Sequence, residues 1–146
     1  MLTFTTNQMA QLEESSFERL IARLERAVLE VFPEVAQPPA EASNGVGAAQ
    51  RMSVTGVVES GVTRGLQFDL RGGADWAVFI ALGLALRKRP GGGTPGWVSD
   101  CMQHAALPGP SRLALIEWWL ARETATDASL GAVLQSMRDI RTKLEA

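Results

Sequence analysis

Apolar side chains recur at helical spacing from the start of the chain. Met9, Leu12, Phe17, Leu20, Ile21, Leu24, Val28, Val31 and Phe32 fall on one stripe, and Glu13, Glu14, Arg19, Arg23, Glu25 and Arg26 lie off it. The pattern predicts a long amphipathic helix that Pro33 stops. Pro, Ala, Ser and Gly dominate residues 35–49, which therefore read as a flexible loop inside the domain.

The stretch SVTGVVESGVTRGLQFDL, Ser53 to Leu70, is the ambiguous one. Val, Thr and Gly favour strands and turns over helices. The order of the residues argues the other way. Val54, Val57, Val58, Gly61, Val62 and Gly65 share one helical face, and Thr55, Glu59, Ser60, Thr63 and Arg64 take the rest. In a strand, the adjacent Val57 and Val58 point to opposite faces and break the alternation. The reading is a weak helix ending near Leu66, its glycines serving as contact points for a closely packed neighbour.

Gly72-Gly73 then punctuates the chain, and Asp75 is placed to cap WAVFIALGLALRK. This run is apolar nearly all round, as a helix surrounded by others should be. Pro90 and the glycines after it end the run. Two short helices are predicted next, Trp97 to Leu107 and Ser111 to Arg122, with Ser111 as N-cap of the second. In the last segment, Ala128 to Leu144, residues Leu130, Val133, Met137, Ile140 and Leu144 alternate by three and four. So short a seam cannot hold a coiled coil alone, so this helix packs on its own domain or on a partner. The predicted fold is all-α: one domain over residues 1–146, an orthogonal bundle of about five to six helices around a central helix, Trp76 to Lys88.

Composition narrows the function classes. A chain of 146 residues suits one domain, and 46% hydrophobic with 21% charged residues argues against disorder. A net charge of −2 gives no electrostatic case for nucleic acid. The opening MLTFTTNQMAQLEES has neither a basic nor an apolar signal region, which predicts no secretory leader. The longest apolar run, Trp76 to Leu86, has eleven residues; a membrane span needs roughly 17–25. No membrane partner is expected. The one cysteine, Cys101, excludes an intrachain disulfide and fits a cytoplasmic location.

No motif spells out a chemistry. The glycines at 56, 61 and 65 have nearly the spacing of a phosphate loop, but Val62 and Thr63 come after the second where the Lys and Ser/Thr that meet phosphate and magnesium are needed. Cys101 and His104, three apart, are the only pair that suggests nucleophilic catalysis, and they lack an orienting third group. The bland reading is a small buried cysteine beside a surface histidine. One Cys and one His cannot complete a zinc site. The carboxylates are scattered over solvated helix faces. The expectation is therefore no enzyme, no metal and no cofactor.

The aromatic residues carry more. Trp118 and Trp119 are adjacent, so they point about 100° apart on a helix. Leu113, Ile116 and Leu120 mark the inward face and Trp119 extends it, which leaves Trp118 beyond it beside Ala114 and Ala121. Trp118 is either an exposed interface anchor or lies under the C-terminal helix. The expected protein interface is Trp97, Trp118, Met137 and Ile140. Arg87-Lys88-Arg89 reads as a solvated helix end, with a role for the basic glycine-rich loop Arg87–Gly96 left open.

Taken in order, several of these pieces resemble small proteins encoded beside type VI secretion spike and effector genes. The early Met9, then Phe17 with Arg19-Leu20, then the Phe32-Pro33 helix end resemble the opening of that family. Gly61, Val62, Arg64, Asp75, Trp76, Phe79 and Gly83 are similar to its next section, and Leu107, Pro108, Arg112 and Leu113 to a later one. The likeness covers residues 7–122 discontinuously. It departs at Gly65, where the family often has an aromatic or Ala, and at RKRPGGGTPG, which replaces an acidic turn. The resemblance implies a helical, non-enzymatic accessory protein, a co-chaperone or adaptor partner for a secreted effector. No catalytic residue is carried over, because the matched positions read as structural. The competing reading is an immunity protein that neutralises a cognate toxin. A homo-oligomer is left open.

Overall fold

The computed structural model describes the backbone of residues 6–36, 53–90 and 93–145, and the side chains of 16–35, 53–90 and 93–145. The described residues form six helices: α1 (Thr6–Val31), α2 (Val54–Gln67), α3 (Gly73–Lys88), α4 (Gly96–Met102), α5 (Gly109–Glu123) and α6 (Ala128–Glu145). A 3-10 turn, Pro33–Ala36, comes after α1, and there is no strand among the described residues. The fold is an all-α bundle. Val35 and Ala36, placed in a loop by the sequence, belong to the 3-10 turn; the rest of the predicted loop, 37–49, lies outside the described residues.

The weak helix forms. Ser53 Oγ accepts the Gly56 N–H at 3.1 Å and caps α2. Val58, Val62 and Gly65 are buried, on the face that the spacing selects. Two of its glycines are there for close approach. A Cβ at Gly61 would stand 2.3 Å from Ile80 Cγ1, and one at Gly65 would stand 3.0 Å from Trp76 Cδ1. The glycines cost helix propensity, and the contact they permit with α3 recovers part of it. At the end of α2, Asp69 takes a left-handed conformation (φ 62°), and the Phe68 and Leu70 amides both donate to the Gly65 carbonyl. The Trp76 indole N–H donates to the Leu70 carbonyl at 2.6 Å, which ties this link to α3.

α3 is the centre. Trp76, Ala77, Val78, Ile80, Ala81, Leu82, Ala85 and Leu86 are all buried, and the helix packs on α1, α2, α5 and, most extensively, α6. Its start differs from the expectation. Gly72 is the capping position with no side-chain bond, and Asp75 sits inside the first turn, where its charge still favours the helix dipole. The α6 seam is satisfied within the chain: Leu130, Val133, Leu134, Met137, Ile140 and Leu144 are buried.

The two middle helices also start or stop elsewhere than predicted. α4 ends at Met102, not at Leu107. The Met102 carbonyl, free at that end, is taken by Arg112 on α5, which also bonds three carbonyls around it. Its Nε donates to the carbonyls of His104 (3.0 Å) and Leu107 (2.9 Å), and one terminal nitrogen donates to those of Met102 (3.1 Å) and Phe68 (3.2 Å). Pro108 also turns the residue before it away from helical geometry. α5 begins two residues before Ser111, at Gly109, with Pro110 in its first turn, so Ser111 is not the cap. Gly109 is buried against the end of α2: a Cβ there would lie 2.3 Å from the Asp69 carbonyl oxygen. The buried apolar residues of all six helices form one cluster.

Candidate protein interface

On α5 the sequence places two tryptophans side by side, and the helix separates their fates. Leu113, Ile116 and Leu120 face the core and are buried. Trp119, next to that stripe, is half-buried and packs against the core with Trp97 of α4, ring centroids 6.4 Å apart. Trp118 is 53% exposed. It stands edge-on to Trp119, centroids 5.0 Å apart and planes at 82°. One turn on, the Arg122 guanidinium lies 5.4 Å from the Trp118 ring and 5.8 Å from the Trp119 ring. The result is a ladder from the core outward, Trp97, Trp119, Trp118, with a cation over its outer end. Edge-to-face and cation–π contacts hold Trp118 in place although half its surface meets water. Trp118 does not lie under the C-terminal helix.

Met137 and Ile140 do not join this surface. Both are 0% exposed, packed in the seam that α6 turns toward the core. An all-round apolar α3 gives that seam its partner inside the molecule, so the seam is core and not interface. Of the four expected interface residues, the structure brings Trp97 and Trp118 together through Trp119 and removes the other two.

The basic run at the end of α3 splits three ways. Lys88 pairs with Glu34 at 3.2 Å, and Arg89, its side chain 15% exposed, reaches Asp127 at 3.3 Å. Arg89 is therefore an anchored residue and not part of a solvated end. Arg87 lines a groove of about 240 Å³ between α2, α3 and α4 that sequence reasoning missed. Arg64, Phe79, Gly83, Val98 and Met102 line it too. Arg64 sits over the Phe79 ring at 5.8 Å. No sequence signal marked it, because its lining comes from three separate segments that share no motif.

Cys101 is buried in α4, and burial, then the Asp100 charge, push its thiol above the ordinary cysteine value. His104 is exposed beyond the end of the helix, and no hydrogen bond joins the two side chains among the described residues. Among the described residues no group of three or more His, Cys, Asp or Glu is placed to hold a metal ion, and no helix is long and apolar enough to cross a membrane. Against protein-family models, curated proteins and solved structures alike, the chain has no match.

Proposed function

We propose that the chain is a non-enzymatic protein-binding accessory factor whose contact surface is centred on Trp118. The observation that carries this reading is a tryptophan 53% exposed yet held by the edge-on Trp119 ring and a guanidinium. Exposing an indole costs hydrophobic free energy, and fixing it forgoes side-chain entropy. Both costs are recovered when a partner covers a ring that is already ordered. Tryptophan and arginine are also the residue types that dominate binding energy at protein interfaces.

The kind of partner is drawn from the resemblance. The pieces running from Met9 to Leu113 resemble those of accessory proteins beside type VI secretion genes, so the partner we propose is a secreted effector or the adaptor that loads it, met in the cytoplasm. The test is co-expression of the tagged chain with the products of the genes that flank it. The reading expects one of them to co-purify with the wild type and to be lost from Trp118→Ala. If none is retained, or if Trp118→Ala loses stability and partner together, the reading fails.

A further inference from the structure

We infer that the groove between α2, α3 and α4 is a second, separate docking site, and that it takes an acidic peptide segment presenting one large apolar side chain. This deepens the proposed function by naming the chemistry of the partner, and it rests on that reading only in assuming that a protein partner exists.

Three observations converge on the groove. The first is Gly83. In an α-helix a glycine is justified where another backbone or side chain comes close, as Ile80 does at Gly61. At Gly83, in the middle of the central helix, an added Cβ would meet nothing within 4 Å. The bundle needs no glycine there for packing. What its missing side chain does is leave the groove open beside Phe79, Val98 and Met102.

The second is charge. Among the described residues, the charged side chains that line the groove are Arg64 and Arg87 alone. Neither is paired with a carboxylate among the described residues, although Lys88 and Arg89, next to Arg87 in sequence, each have one. The chain as a whole is net negative, at −2. A cationic rim without carboxylate partners among the described residues, on an acidic protein, favours a partner with carboxylates, which guanidinium groups bind through paired hydrogen bonds.

The third is size. Pockets that enclose a whole small ligand run to about 300–1,000 Å³. At about 240 Å³ the groove has room for one bulky side chain, with the rest of the ligand lying outside. An apolar anchor on Gly83 with carboxylates on both sides, toward Arg64 and Arg87, meets the floor and the rim together. This is the side-chain-in-groove mode of peptide recognition.

The test uses the full chain and short random peptides displayed on phage. Selection on the wild type should enrich sequences with Asp or Glu flanking an aromatic or branched aliphatic residue. A synthetic copy of the best sequence should bind about tenfold more weakly to Arg64→Gln and to Arg87→Gln, each of which loses one charge-assisted contact. Binding should disappear in Gly83→Leu, while circular dichroism shows the bundle intact. Because the Gly83 site is open, Gly83→Ala serves as a second, smaller obstruction: it should weaken binding while the melting temperature holds or rises. Trp118→Ala should leave binding of this peptide unchanged, which separates the groove from the tryptophan surface. The inference is overturned if no acidic preference emerges, if peptides bind the Arg variants and Gly83→Leu as they bind wild type, or if only a free amphiphile such as laurate occupies the groove. Each of those results leaves the Trp118-dependent capture of a flanking gene product to stand or fall independently.

Discussion

At the scale of single residues, glycines show how one residue type serves opposite ends. Gly61 faces the branched Ile80 side chain at 2.3 Å from where a Cβ would stand, and Ile80 is itself buried, so it has little freedom to withdraw. Gly61→Ala gains about 1 kcal/mol of helix propensity but overpacks the α2–α3 contact, which costs roughly 1–3 kcal/mol. The expected net is a loss of about 1 kcal/mol in urea denaturation. Gly83→Ala gains the propensity and meets no obstacle, so the same measurement should show a gain of about 0.5–1 kcal/mol. Equal effects of the two substitutions would contradict the packing described for α2.

Asp127 makes a second residue-scale case. Its carboxylate accepts the Ser129 hydroxyl at 2.6 Å and the Ser129 amide at 3.0 Å, and Arg89 lies beside it. The side-chain bond from Ser129, then the backbone one, and after them the Arg89 charge, hold Asp127 below its ordinary value. A depressed carboxylate contributes stability that is present above its unfolded pKa and is lost as pH falls through the folded value. The urea midpoints of wild type and Asp127→Asn should therefore differ at neutral pH and converge as the pH falls below the ordinary aspartate range. A gap that stays constant across that range would mean the charge plays no part.

At the scale of elements, the joints matter more than the helices. The helices themselves were legible: the apolar α3 run, the α6 seam and the α1 stripe from Leu20 to Phe32 each predict a face that the bundle packs, while Phe17 on the same stripe stays 48% exposed. Even the glycine-rich α2 could be read, because adjacent valines at 57 and 58 cannot alternate as a strand requires. The ends were less legible. Asp75 and Ser111 have the chemistry of caps but lie within the first turn of their helices. The early end of α4 has no local cue beyond Pro108, because its last carbonyl, that of Met102, is bonded by Arg112, a residue ten positions away. Caps and stops set by tertiary partners cannot be found by periodicity.

Arg112 is then the element-scale prediction. One guanidinium joins the ends of α2 and α4 and the link into α5 through four carbonyls. Hydrogen bonds to charged groups contribute about 1.5–3 kcal/mol each when buried, less when partly solvated as here. Arg112→Ala should cost about 2–3 kcal/mol. Arg112→Lys should recover little, because a compact ammonium cannot span the fork. Hydrogen exchange would localise the loss: amides of α4 and of the Phe68–Leu70 link should exchange faster, with α6 little affected. Uniform loss of protection would contradict the joint role.

At the scale of the whole molecule, the bundle turns nearly every apolar stripe inward, and what it fails to cover is informative. The sequence left the C-terminal seam to pack on its own domain or on a partner, because periodicity identifies an apolar face without naming what covers it; α3 covers it, and Met137 and Ile140 become core. Trp118 was undecided for the same reason, and here the bundle leaves the ring outside. The α2–α3–α4 groove was illegible because it is made by three separate segments whose lining residues carry no shared motif. Surface ion pairs such as Lys88–Glu34 and Lys143–Glu30 are exposed and weak contributors, so the assembly rests on the apolar core around α3.

The claim that this bundle works by binding a protein through its exposed tryptophan is tested most directly by calorimetric titration of the chain with the flanking gene product it retains, alongside thermal melts of the same samples. The account predicts that Trp118→Ala weakens binding about thirtyfold or more, as loss of a central aromatic anchor does, while the melting temperature stays within about 2 °C of wild type, as for a surface substitution. Unchanged affinity in Trp118→Ala, with the melt unchanged, would contradict it.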